Sequence, residues 1–146
     1  MTDGQARRGG DMGTSTKILV VDDDPDMRET LQMILESVGY AVALAEDGEQ
    51  CLSKLKEEPF DLLLLDLLMP NMDGFEVCKA LKDPRYAKYA GMPIIILSSV
   101  QEGVSQRRYE LETGVRLDID DYVEKPVESS VLLERVGKII QRISKE

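Results

Sequence analysis

From Lys17 onward, short apolar runs alternate with stretches in which apolar residues recur every three or four positions. The first run, Lys17–Val21 (K-I-L-V-V), is rich in β-branched residues and predicts a strand covered on both faces. Asp24 and Pro25 follow as a helix cap and first helical residue. Met27, Leu31, Ile34, Leu35 and Val38 then repeat at helical spacing, and Gly39 supplies the stop. Ala41–Ala45 reads as a second strand. Asp47-Gly-Glu-Gln50 resembles a capping box, with Cys51, Leu52 and Leu55 on the apolar side of the helix it opens and Pro59 beyond its end. Asp61–Asp66 (D-L-L-L-L-D) is the most apolar strand candidate and ends in a carboxylate. Asp73 begins a third helix with Phe75, Cys78 and Leu81 inward, and Asp83–Met92, punctuated by Pro84 and Gly91, reads as a loop. Pro93–Leu97 (P-I-I-I-L) predicts another buried strand. Glu102–Gly114 predicts a weakly amphipathic helix anchored by Val104 and Leu111, and Ile119–Val123 a last strand. Val131, Leu132, Val136, Ile139, Ile140 and Ile143 define a final helix.

Five strands alternating with five helices imply βαβ units and a parallel sheet. Right-handed crossovers then place helices on both faces, so the expected class is a doubly wound α/β domain over residues 17–146. The polar, glycine-rich stretch Met1–Thr16 is expected to be a disordered tail, with Met12 as an alternative start. It lacks the apolar segment of a secretory signal, and no apolar run approaches a bilayer span.

Charge and rare residues narrow the function. A net charge of −10 over 146 residues disfavours direct contact with nucleic acid or an anionic membrane surface. Cys51 and Cys78, the only cysteines, fit no metal or redox spacing and read as reduced core residues of a cytoplasmic protein. The chain has no histidine, which excludes a catalytic imidazole, a histidine metal ligand and a phosphohistidine within it.

In open α/β sheets, function collects outside the carboxyl ends of the strands. The predicted ends here carry Asp22-Asp23-Asp24, Asp66, Ser98-Ser99 and Glu124-Lys125-Pro126. Taken singly, each has a plainer reading as a solvated turn, a helix cap or a loop hydroxyl. Polar residues directly after four different apolar runs are another matter, because together they would converge on one rim.

The segments V-V-D-D-D-P (Val20–Pro25), L-L-L-L-D-L-L-M-P-N-M-D-G (Leu62–Gly74), P-I-I-I-L-S-S (Pro93–Ser99) and D-Y-V-E-K-P (Asp121–Pro126) resemble the response-regulator receiver domains of two-component signalling. The resemblance runs from about Lys17 to Ile143. It implies a flavodoxin-like sheet of order 2-1-3-4-5. It also implies Asp66 as a phosphoacceptor, Lys125 and Ser98 as partners of the phosphoryl group, a cis bond before Pro126, and Ser98 with Tyr122 as a switch pair. A carboxylate that attacks an anionic phosphoryl group beside two other carboxylates needs a counter-charge. Mg²⁺, a hard oxygen-seeking ion, fits that need, with Asp23 and Asp66 as direct ligands, Asp22 acting through water, and the Leu68 backbone carbonyl added by the resemblance.

The phosphoryl donor would come from a sensor histidine kinase, a phosphotransfer protein or a small phosphodonor. The response would pass to a downstream protein effector through the surface of the fourth helix, fifth strand and fifth helix, in a monomer or a phosphorylation-dependent dimer. A pseudo-receiver that signals by binding alone is the alternative. A phosphatase-like hydrolase is disfavoured, because Leu68 stands where such enzymes carry a second acid. Two departures from the family pattern are the long link from Gly114 to Tyr122 and Ser99 in place of a common Ala.

Overall fold

The computed structural model describes residues 16–98, 110–111 and 119–144. Its strands are β1 (Lys17–Val21), β2 (Ala41–Ala45), β3 (Leu62–Asp66), β4 (Ile94–Ser98) and β5 (Asp121–Glu124). All pair in parallel, in the order β2-β1-β3-β4-β5, so the doubly wound sheet is as the sequence implies. The helices are α1 (Pro25–Glu36), α2 (Gly48–Glu57), α3 (Gly74–Ala80) and a C-terminal helix, Ser129–Ser144. Pairing of β1 with β2 starts at Thr16, whose carbonyl accepts from the Ala41 N–H at 2.9 Å.

The uninterrupted apolar runs are explained by two cores. Within β1, Ile18 and Val20 face one side and Leu19 and Val21 the other, the period-two alternation of a pleated strand. Ile18, Val20, Leu62, Leu64, Ile95 and Leu97 pack with Leu31 and Leu35 of α1 and with Leu132, Val136 and Ile139 of the C-terminal helix. Leu19, Val21, Leu63, Leu65 and Ile96 pack with Cys51 and Leu55 of α2 and Phe75 and Val77 of α3. Both cysteines are buried and neither is in a disulfide, as expected.

Local chemistry sets the boundaries. Asp24 caps α1, its side chain accepting from the Asp26 N–H at 3.0 Å, with Pro25 at the first helical position. Asp47 caps α2 by accepting from the Gln50 N–H at 2.9 Å, but the Gln50 side chain reaches back to the Glu46 N–H rather than to that of Asp47. The complete capping box is on α3, between Asp73 and Glu76.

Several boundaries differ from the sequence reading. α1 ends at Glu36, Gly39 turns with φ +96°, and Val38 is exposed instead of facing the core. β4 begins at Ile94 because Pro93 has no N–H to donate; its carbonyl still accepts from Leu63 at 3.1 Å. Ser98 is therefore the last residue of β4 rather than the first beyond it. β5 starts at Asp121, because its register against β4 opens with Ile95 opposite Asp121. Glu110 and Leu111 are helical, with Leu111 largely exposed rather than facing inward, while Val104 and the other residues of the predicted helix Glu102–Gly114 lie outside the described residues, as does the tail 1–15.

The stretch read as a loop, Asp83–Met92, contains a 3₁₀ helix, Pro84–Tyr89. Asp83 caps it through the Arg85 N–H at 2.9 Å, and Tyr86 and Tyr89 are buried. Pro84 starts this helix, as proline does at a first helical position. The Tyr89 hydroxyl sits between the Leu55 and Glu58 carbonyls, at 2.9 and 2.7 Å, and so closes the end of α2. Tyr89→Phe should destabilise the domain by about 1–3 kcal/mol, the cost of leaving buried acceptors short of a donor. Urea unfolding with an unchanged m-value checks this.

Candidate functional site

The register of the sheet builds the site. Val21 lies opposite Leu65, which sets Asp22 beside Asp66. Asp66 lies opposite Leu97, so Ser98 follows one step beyond on β4. Ser98 lies opposite Glu124, and Lys125 comes next. Four strands thus deliver one polar residue each to the same rim.

Among the described residues, the buried polar or charged side chains are Asp22, Asp66 and Ser98, at 1%, 2% and 6% exposure, and all three are here. Such concentration is unusual, since an unpaired buried carboxylate costs several kcal/mol. Lys125 offsets part of that cost: its ammonium lies 3.4 Å from Asp22 Oδ2 and 3.3 Å from Asp66 Oδ1. The peptide bond that follows it, to Pro126, is cis. Burial pulls the Lys125 pKa down, but the Asp66 and Asp22 charges outweigh it and hold the ammonium above its ordinary value. Asp22 moves above the usual carboxylate range. Burial raises it, the Asp24 N–H bond and Lys125 pull it back only in part, and Asp23 adds like-charge repulsion.

Carboxylate oxygens of Asp22, Asp23 and Asp66 lie within 4.8 Å of one another, with Asp23 open to solvent and the other two buried. Three carboxylates against one ammonium leave a charge of −3 + 1 = −2 when all are ionised. The donor set is oxygen only and compact, and the cluster with Lys125 is doubly negative, which fits a hard divalent cation such as Mg²⁺ and not a soft one.

Asp22, Asp23, Asp66, Ser98 and Lys125 are therefore together, as the sequence suggested. Leu68 and Tyr122 stand apart in character: both side chains are exposed, at 51% and 39%. Ser99 and residues 114–118 of the link from Gly114 to Tyr122 lie outside the described residues.

Two glycines that frame the site went unassigned in the sequence reading. The Gly74 N–H donates to the Leu67 carbonyl at 2.8 Å, and a Cβ at Gly74 would sit 2.6 Å from the Asp66 carbonyl oxygen. The Gly48 N–H donates to the Met72 carbonyl at 3.1 Å, and a Cβ there would meet that oxygen at 2.6 Å. The loop leaving Asp66 is thus clasped between the first turns of α2 and α3, with Asn71 taking a left-handed φ of +68°. Glycine at the first position of two helices, each just after a capping Asp, was the available signal.

Residues 18–137 match the family model of the response regulator receiver domain. The chain belongs to this receiver family. It is 40% identical over 129 residues to a protein of Porphyridium aerugineum described as a probable transcriptional regulator, ycf27, covering 88% of this chain and 50% of that one. It is 37% identical over 134 residues to the transcriptional regulatory protein ResD of Bacillus subtilis, covering 92% and 52%. The receiver thus spans about half the length of the curated relatives it matches. The fold superposes on the chemotaxis response regulator CheY4 of Vibrio cholerae with a TM-score of 0.75 at 28% identity, covering 86% of this chain and 99% of that one. Receivers of this family serve two-component systems and generally bind Mg²⁺ in an acidic pocket. No helix among the described residues is long and apolar enough to cross a membrane.

The raised Asp22 pKa gives a prediction with a definite sign. A carboxylate whose folded pKa exceeds its unfolded value favours the fold while protonated, and that contribution is lost as pH rises through the folded pKa. In metal-free buffer, Asp22→Asn should therefore gain stability relative to the parent as pH is raised from about 4, the ordinary carboxylate pKa, to neutrality. In saturating Mg²⁺ the gain should shrink or reverse, since the parent keeps the third carboxylate for the cation. Denaturant midpoints of both proteins across pH, with and without Mg²⁺, test this.

Proposed function

We propose that this receiver is a phosphoacceptor switch in which Asp66 takes a phosphoryl group from a phosphohistidine of a sensor kinase or phosphotransfer protein, or from a small phosphodonor. The observation that carries the reading is the buried Asp66 carboxylate, held 3.3 Å from the Lys125 ammonium within a three-carboxylate cluster at the sheet's carboxyl rim. Asp23, Asp66, the Leu68 carbonyl and, through water, Asp22 would hold Mg²⁺. When bound, the cation neutralises charge on the acidic cluster and on the incoming phosphoryl oxygens.

The remaining work falls to side chains of the receiver. An Asp66 oxygen attacks phosphorus in line, an O–P bond forms, and the donor's P–N bond breaks, leaving neutral imidazole once it is protonated. Lys125 is already placed beside that carboxylate, so its charge is available to the developing phosphoryl oxygens without rearrangement. Ser98, buried at the same rim, donates a hydrogen bond to one of those oxygens. The exposed Tyr122 ring then turns inward as Ser98 shifts, and the face around β5 and the C-terminal helix changes for a downstream protein effector. On that face, Arg135 pairs with Asp121 at 2.7 Å and Arg142 with Asp120 at 2.9 Å. The response passes by protein contact in a monomer or a phosphorylation-dependent dimer.

Acetyl phosphate with Mg²⁺, read by intact mass, tests the reading. One phosphoryl adduct that vanishes in EDTA supports it. No adduct, together with unchanged amide shifts in beryllofluoride and Mg²⁺, would leave a receiver fold that signals by binding alone.

A further inference from the structure

We propose that Arg28 is a positioning residue for the divalent cation, acting through the backbone of the acidic loop; the inference rests on the cation-dependent receiver reading above. Arg28 is the fourth residue of α1, at the close of its first turn, and its guanidinium folds back over the helix start so that Nη1 donates to the Asp22 carbonyl at 2.7 Å. That length belongs to charge-assisted hydrogen bonds. The backbone N–H of the same residue donates to the Asp24 carbonyl at 3.0 Å.

Those two bonds grip either side of Asp23. A peptide unit is planar, so fixing the Asp22 oxygen also fixes the amide and Cα of Asp23. The bond to the Asp24 oxygen fixes the plane that enters Pro25. Asp23 itself is exposed, and its carboxylate depends on this backbone for its place in the cluster. The other polar groups of Asp22 are held elsewhere: its N–H by the Ala45 carbonyl at 3.2 Å, Oδ1 by the Asp24 N–H at 3.0 Å, and Oδ2 by Lys125 at 3.4 Å. Arg28 supplies the contact for the remaining one, the carbonyl.

The location runs against local preference. A cation near a helix N-terminus opposes the macrodipole, and a positive charge beside a cation site repels the cation. If simple charge decided the outcome, removing Arg28 would tighten Mg²⁺. If loop placement decides it, removal weakens Mg²⁺, as loss of an outer partner of a metal site does, by about 10-fold or more.

The experiment measures Mg²⁺ binding by calorimetry and Mn²⁺ binding by loss of its free EPR signal, on the parent, Arg28→Met, Arg28→Ala and Arg28→Lys. Arg28→Met keeps the apolar stem and loses the donors, so it stays informative should Arg28→Ala fail to fold. The expected result is affinity about 10-fold weaker in Arg28→Met with an unchanged far-UV spectrum, and most of the loss recovered in Arg28→Lys, which keeps a donor for the carbonyl. Binding in Arg28→Met equal to or tighter than in the parent overturns the inference. A parent that binds neither cation overturns the receiver reading beneath it, and the inference falls with it, so the two failures are distinguishable.

Discussion

Asp66→Asn should take up no phosphoryl group under conditions that convert the parent to a single adduct. The argument is one of replaceability. An amide oxygen is a poor nucleophile toward phosphorus, and an amide supplies no negative charge to a cation. The substitution therefore removes both contributions at once while keeping shape. Asp22 and Asp23 cannot substitute. Asp22 is committed through Oδ1 to the Asp24 N–H and through Oδ2 to Lys125, and Asp23 is on the exposed side of the cluster. Lys125 would retain Asp22 as its partner, so the variant should fold. Intact mass after incubation with acetyl phosphate and Mg²⁺ checks the prediction, with near-complete loss expected rather than a partial one. An adduct of parent-like yield on Asp66→Asn would place the acceptor elsewhere and remove the central residue of the proposed function.

How much of this was legible beforehand follows from what each residue depends on. The strands were readable because Val20, Leu64 and Ile96 lie in runs too apolar to be anything but covered on both faces. Asp22 and Asp66 were readable for a related reason: each follows or ends such a run, and a parallel sheet collects its strand ends on one side. Lys125 follows the largely uncovered β5, D-Y-V-E, so it was legible through the D-Y-V-E-K-P motif rather than through burial. The residues that escaped depend on tertiary neighbours. Arg28 reads locally as a solvated helical charge, and only the folded loop brings the Asp22 carbonyl within its reach. Asp83–Met92 reads as a loop because its buried anchors are Tyr86 and Tyr89, which no aliphatic period announces, and because a proline such as Pro84 punctuates a loop and starts a helix equally well. Val38 was placed inward by periodicity. The helix stops two residues earlier, where the Ser37 hydroxyl turns back to the Ile34 carbonyl at 2.6 Å.

Gly74→Ala should be among the most damaging single substitutions in the domain that removes no functional group. In the interior of a helix the change ordinarily stabilises by up to about 1 kcal/mol, because alanine loses less chain entropy than glycine. Here the added methyl would lie 2.6 Å from the Asp66 carbonyl oxygen and 2.8 Å from Leu67 Cα. Both are backbone atoms, so no rotamer change can relieve the contact; the loop or α3 must move. Overpacking of this kind costs about 1–3 kcal/mol, which exceeds the propensity gain. The movement also falls on the residue that carries the chemistry, because the atom displaced first belongs to Asp66 itself. Stability and phosphorylation should therefore decline together, with urea midpoints and acetyl-phosphate uptake as the two measurements. Gly137→Ala, in the C-terminal helix, is the matched control: nothing lies within 4 Å of its added Cβ. It should raise stability by up to about 1 kcal/mol and leave uptake unchanged. If Gly74→Ala behaves like Gly137→Ala, α3 does not press on the loop leaving Asp66, and the clasp around the site is looser than its geometry requires.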